Sequence, residues 1–267
     1  MRSGSPETTL PRDRDPLPTC VRDLETLPEA YVATVRAGLA TGRAAGLSEA
    51  QLEAIGDHVR LLLAWNGAIN LSGIREPDMI AREHVLDSLT AVPLLRRAGI
   101  DEFVDIGSGG GYPGLPLAVA LPARRALLVE SIAKKARFLT VAVKAAGVGD
   151  SVAVAAVRAE AVARDPAHRA RWQAVVARGV ADLTDLAELS LPLLRIGGLL
   201  VAWKRRPIDE ELTRAERALR GLLGRLVEVQ TVAVTGLEDH VLAVIEKVAA
   251  TPPEFPRDPA ARRRRPL

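Results

Sequence analysis

Residues 103–122 read FVDIGSGGGYPGLPLAVALP, a short apolar run, five glycines within eight positions, a proline and then an apolar helical pattern. The most permissive residues of the chain lie between two of its most ordered stretches. Glycine reaches positive φ and lets a neighbour approach where a Cβ would stand. A helix that starts just after such a loop presents unpaired N–H groups and a partial positive charge. Pro113 suits the first helical turn, where a missing N–H costs nothing. A strand, a glycine loop and a helix in this order predict the first unit of a parallel α/β sheet, with the loop at the carboxyl edge where such sheets take ligands.

The rest of the chain agrees. FVDIG, ALLVE, VAVAAV, WQAVVAR and GGLLVAW are short apolar runs, separated by helical segments at 113–120, 132–146, 159–164 and 182–195. This alternation predicts right-handed βαβ units and a parallel sheet. A polar helix near 208–221 precedes RLVEVQTVAV and DHVLAVIEKV, which are expected to close the sheet as an antiparallel hairpin at its edge. Upstream, helices are predicted over 28–66, with Ser48 as an N-cap, and over 77–97. The expected organisation is a disordered extension over 1–27, a domain over 28–250 with a helical cap at 28–97, and a basic Pro/Arg-rich tail at 251–267.

The loop alone leaves its ligand open. Gly109, Gly111 and Gly114 satisfy the dinucleotide pattern GxGxxG. Asp105, Gly107, Gly109 and Gly111 satisfy DxGxGxG, the pattern of S-adenosylmethionine (SAM)-dependent methyltransferases. A purely structural tight turn is the third reading. Glu130, ending the second strand, could accept hydrogen bonds from ribose hydroxyls in either class of enzyme or cap the next helix. Arg178, ending the fourth strand, is placed at the same edge, where an ion pair to a sheet-end carboxylate is its plainer role. His84 and Asp87 are three apart on a helix, a spacing that can ligate metal, but two ligands are not a site and a structural hydrogen bond is expected.

Composition removes other classes. Aromatic residues are 3% of the 267, too few for a stacking platform for single strands. One cysteine, Cys20, rules out an internal disulfide and a cysteine zinc cluster. No secretory apolar segment or run of 18 apolar residues is present, so a cytoplasmic, non-membrane, metal-free protein is expected. No GxSxG occurs, against an α/β-hydrolase. The net charge is +3, and the tail alone holds five arginines against Glu254 and Asp258, 5 − 2 = +3. That asymmetry points to a polyanionic partner or to a solvated end.

Four blocks in order identify a resemblance: LLLAWNGAINLSGI at 61–74, REHVLDSL at 82–89, the glycine loop, and a proline-rich basic tail ending in Pro266-Leu267. From about Leu47 to the end, the chain resembles the bacterial small-subunit (16S) ribosomal RNA guanine-N7 methyltransferases, the glucose-inhibited division protein B family. The resemblance implies a class I SAM-dependent methyltransferase fold, a Rossmann-like seven-stranded sheet with an N-terminal helical cap. It implies SAM as methyl donor and N7 of one guanine in small-subunit RNA, free or in an assembling subunit, as acceptor. Carried over by motif, Gly107 and Tyr112 line the SAM loop, Glu130 is the strand-end acid, Ala159 and Glu160 flank the adenine, and Arg178 stands near the methionine end or the target base.

The chain departs from the family at Gly179, where alanine is usual after the arginine, at Arg205, where glycine commonly follows the lysine, and at Asp239, where arginine usually precedes the histidine. Lys134, Lys135 and Arg137, with Arg205, Arg206 and the tail residues Arg262, Arg263, Arg264 and Arg265, are candidate phosphate contacts, or else an ordinary solvated surface. N7 of guanine carries a lone pair and no proton, so no general base is needed and no catalytic residue is assigned. A monomer is expected. The alternatives are an NAD-dependent oxidoreductase and a non-catalytic RNA-binding assembly factor on a SAM-binding fold.

Overall fold

The computed structural model describes residues 16–41, 46–121 and 123–267. Two helices come first, α1 (Glu29–Thr41) and α2 (Glu49–Ile69). Ser48 caps α2: its hydroxyl accepts from Gln51 N at 3.2 Å while the Gln51 side chain accepts from Ser48 N at 2.9 Å. The segment expected to be one helix over 77–97 is broken. Pro77 starts α3 (Pro77–Ile80), which widens into a π-helix (Ala81–Leu86) and runs on as α4 (Asp87–Leu89). Pro93 lies in the first turn of the separate α5 (Val92–Arg97).

The sheet follows as β1 (Glu102–Ile106), α6 (Gly114–Ala120), β2 (Arg125–Val129), α7 (Ala133–Ala145), β3 (Val152–Ala155), α8 (Ala159–Arg164), β4 (Trp172–Arg178), α9 (Leu183–Ser190), β5 (Leu194–Arg205), α10 (Asp209–Leu222), β6 (Gly224–Thr231) and β7 (His240–Lys247). A short α11 (Pro259–Arg264) ends the chain. The seven strands run in the order β3-β2-β1-β4-β5-β7-β6. Strands β1 to β5 are parallel, and β7 lies antiparallel to both β5 and β6. This is the fold class expected. Buried side chains form two cores, one per face. The cap, α6 and α7 cover Phe103, Leu128 and Val176; α8, α9 and α10 cover Val104, Val129 and Val175.

Both ends of the chain differ from the expectation. The reading of disorder over 1–27 fails from residue 16 onward, its first fifteen positions lying outside the described residues. Leu17, Val21, Leu24 and Leu27 pack on the cap core. Trp65 Nε1 donates to the Pro18 carbonyl at 2.8 Å, and Arg60 donates to the carbonyls of Val21 (2.8 Å), Glu25 (2.9 Å) and Leu24. The apolar residues of this segment are sparse, but all four are partly buried against that core. The tail is docked too. The buried Glu188 holds Arg257 through Nε at 2.9 Å and Nη2 at 2.6 Å, and Arg169 Nη1 donates to the Phe255 carbonyl at 2.6 Å.

Candidate active site

The glycine loop is braced by two buried carboxylates at the ends of adjacent strands. Gly107 N and Ser108 N both donate to the Val129 carbonyl, at 2.9 and 3.0 Å. Glu130 Oε2 accepts from Gly109 N at 3.0 Å and Oε1 from Ile132 N at 2.7 Å, so one side chain ties the loop to the start of α7. Asp105 Oδ2 accepts from Gly114 N at 3.0 Å. Gly114 permits this contact, since a Cβ there would lie 2.5 Å from both Asp105 Oδ2 and Leu128 Cδ2. Gly107 sits at φ +71°, and a Cβ on it would meet Val180 at 2.7 Å.

Burial pushes the Asp105 carboxyl up to about 7, against the pull of its hydrogen-bond donors, which include Gly114 N–H. Its Oδ1 has no partner among the described residues. Between the ordinary value of 3.8 and about 7 the folded state therefore binds more protons than the unfolded chain. Stability contributed here is complete below pH 3.8 and is lost as pH rises through about 7. Denaturant titrations across this range are expected to show that decline, and Asp105→Asn to flatten it; an unchanged slope in the variant would refute the assignment.

A cavity of about 290 Å³ opens beside the loop at the carboxyl edge of the sheet. Val129, Val157, Val180 and Leu189 give it apolar walls, and Gly107, Ala159, Glu160 and Arg262 also line it. Three of the residues read as cofactor-binding, Gly107, Ala159 and Glu160, thus meet at one cavity, joined by Arg262, while Glu130 braces the loop. Tyr112 does not face it. Its ring is stacked between His58 and His84, with centroids 4.6 and 4.8 Å away, and fastens the loop to the cap. Burial holds both imidazoles down at about 4, so both are neutral at pH 7.

A second cavity, about 370 Å³, lies across the β4–α9 loop; Ala181 lines both. Its wall is a polar network centred on the fully buried Asp87. Asp87 Oδ2 accepts from Arg178 Nη1 at 2.8 Å and Oδ1 accepts from His240 Nδ1 at 2.9 Å. Arg178 Nη2 donates to His84 Nδ1 at 3.2 Å. A guanidinium only donates, so His84 carries its proton on Nε2, which donates to Ser72 Oγ at 2.6 Å. Trp203 Nε1 donates to the Asp87 carbonyl at 2.9 Å. Arg178 thus has an ion pair, but not with the sheet-end carboxylate its plainer reading supposed: its partner is Asp87 on the cap helix α4, the residue whose spacing from His84 was noted. Among the described residues no group of three or more His, Cys, Asp or Glu could hold a metal ion, and no helix is long and apolar enough to cross a membrane.

Sequence reasoning missed Asp87 as the hub and His240 as its partner, although both lie in motifs that stood out. It also missed Trp203 and the valines that wall the first cavity. Of the basic residues, Lys134, Arg137, Arg205, Arg206, Arg263, Arg264 and Arg265 are exposed and Lys135 is half-buried. Arg205 pairs with Glu83 at 3.3 Å, and Arg206 donates to Thr231 Oγ1 at 3.2 Å. Arg262 is a correction: it is turned inward and pairs with Glu160, so it does not belong to a phosphate-contacting surface.

A family model described as rRNA small subunit methyltransferase G (GidB) matches residues 51–240. The chain belongs to the rRNA small subunit methyltransferase G family. A Ribosomal RNA small subunit methyltransferase G of Roseiflexus sp. (strain RS-1) is 42% identical over 231 residues, covering 86% of this chain and 98% of that one. The protein of the same name from Rubrobacter xylanophilus is 42% identical over 226 residues, covering 82% and 85%. Among solved structures, an O-methyltransferase from Bacillus cereus in complex with SAH is 15% identical with a TM-score of 0.50, covering 80% of this chain and all of that one. That likeness speaks to the fold, which is the class I SAM-dependent methyltransferase fold that family membership leads one to expect.

Proposed function

We propose that this protein transfers the methyl group of SAM to N7 of a single guanine in small-subunit (16S) ribosomal RNA. The observation that carries the reading is the pair of cavities on either side of the β4–α9 loop, one walled by the glycine loop and one by a charged network, within the fold of this family. The first fits an adenosine-bearing ligand: Val129, Val157 and Leu189 offer apolar walls to a ring, and Arg262 beside them has donors without partners. Gly107, Ala159 and Glu160 would hold the cofactor, with Glu130 bracing the glycine loop, and the cofactor would supply an electrophilic methyl on a sulfonium.

The chain's own task is alignment. Guanine N7 needs no deprotonation, so a proton acceptor is not required. The cofactor would give up its methyl with the carbon–sulfur electron pair kept on sulfur, leaving the positive charge on guanine. The second cavity offers that base a wall of Trp203, His84 and Arg178, the last held in place by Asp87. Glu83, a quarter exposed on the same wall, is the carboxylate placed to face the new charge. RNA's major groove is too deep and narrow for side chains, so the guanine must be in a loop or turned out. Exposed Lys134, Arg137, Arg205, Arg206 and the arginines of 263–265 would meet the flanking phosphates.

The test is transfer of labelled methyl from SAM to naked small-subunit RNA and to small subunits, with the modified nucleotide mapped. Label at N7 of one guanine is expected on at least one substrate. Label at another atom or on another acceptor, or no label while SAM binds, overturns the proposal.

A further inference from the structure

We propose that the C-terminal tail forms part of the cofactor site, with Arg262 donating hydrogen bonds to the adenosine half of SAM. The inference rests on the reading that the cavity beside the glycine loop holds the cofactor. Arg262 lines that cavity, and its side chain is only 10% exposed. One nitrogen, Nη2, donates to Glu160 Oε1. The other two, Nε and Nη1, are buried without a hydrogen-bond partner among the described residues. A guanidinium has five N–H donors in a rigid plane and no acceptor. Burying such a group beside an open cavity with part of its fork unused is unfavourable unless something that accepts hydrogen bonds meets it, and because Nε and Nη1 are closed to solvent, the fork must turn about its bond to Glu160 to meet a ligand.

The tail is fastened so that Arg262 arrives there. Arg257 is locked to the buried Glu188, and Asp258 starts α11, its Oδ1 accepting from Ala261 N at 2.8 Å. The next position, Arg262, is delivered over Glu160, a residue on the first turn of α8. Charge decides which end of the ligand it meets. A guanidinium beside a sulfonium would be repelled, whereas adenine ring nitrogens and ribose oxygens accept hydrogen bonds without carrying charge. Glu160 offsets the arginine's own charge and aims its plane. Docking of the tail and binding of the cofactor are then favourably coupled, since each places partners against the other's unsatisfied groups.

Calorimetric affinities for SAM, S-adenosylhomocysteine and 5′-methylthioadenosine test this on the full-length protein. Because all three share adenosine, Arg262→Ala should weaken each by a common factor of about 10 to 150, the worth of a buried hydrogen bond to a charged donor. Arg262→Lys keeps the pairing with Glu160 but lacks the planar fork, so it should hold the fold and still lose most of the affinity. Arg217→Ala, at an exposed arginine of α10 away from both cavities, should bind all three as the parent does. Parent-like affinities in Arg262→Ala overturn the proposal. If Arg262→Ala melts early, parent-like affinities in Arg262→Lys overturn it instead. A loss confined to SAM would also overturn it, by placing the contact at the sulfonium end. Ala159→Trp fills the same cavity and separates the two levels of failure. If it abolishes binding while the arginine variants do not, only the role of Arg262 falls. If it leaves binding intact, the location of the cofactor falls as well.

Discussion

Asp87→Ala is expected to lower stability by about 3–5 kcal/mol, toward the lower end because Arg178 retains some contact with solvent. Asp87 is buried, and its two oxygens serve Arg178 from β4 and His240 from β7. Truncation leaves a guanidinium facing an imidazole and a backbone carbonyl with no carboxylate bonded to it, a worse state than never having placed ions there. For a chain of this size the melting point should fall by roughly 10 °C. Methyl transfer at a temperature where the variant is folded should also drop, since Arg178 is no longer held against the second cavity. Thermal melts followed by a transfer assay check both. A variant that melts with the parent and turns over normally would show that the network is ornamental. Asp87→Asn, which keeps one acceptor but sets an NH₂ against one donor, should fall between.

The second large effect is at Gly107. A valine there would hold a β-branched residue at φ +71° and drive a Cβ to within 2.7 Å of Val180. Left-handed strain and overpacking together cost about 2–4 kcal/mol. Either Val180 is pushed off the cavity wall it forms or the loop moves away from the Val129 carbonyl that fastens it, and both reshape the cavity. Cofactor binding measured by calorimetry should become undetectable while the circular dichroism spectrum stays that of the parent. Full-strength binding in Gly107→Val would remove the loop from the cofactor site. Gly107→Ala, with less bulk at the same φ, should bind measurably but weakly.

These two positions also mark what could and could not be read from the residues. Gly107 was legible because a positive-φ glycine after an apolar strand has few other uses, and the strand and helix alternation around it follows from short-range patterns. Asp87 was visible as a residue but not as a hub. Its partners are 91 and 153 positions away, and only strand order brings β4 and β7 together beside the cap. The break in the 77–97 helix was hidden for a different reason. Its apolar residues keep a helical period, while the widening at Ala81–Leu86 answers to what packs around it. Arg262 looked like its neighbours because four arginines in a row carry no signal of which one turns inward. Only the fastening of Arg257 by Glu188 fixes that phase.

The position of β7 has a consequence for the protein as it is made. Strand β5 has β4 on one edge, and its other edge pairs only with residues 240–247, so a nascent chain that has emerged as far as Arg205 carries an open, apolar strand edge. Such an edge is a template for the wrong partner. The same late strand brings His240 to Asp87, and the tail that follows it brings Arg262 to Glu160. Both cavity walls therefore wait for residues made after the rest of the sheet, and β7 must slot between two strands that were made before it.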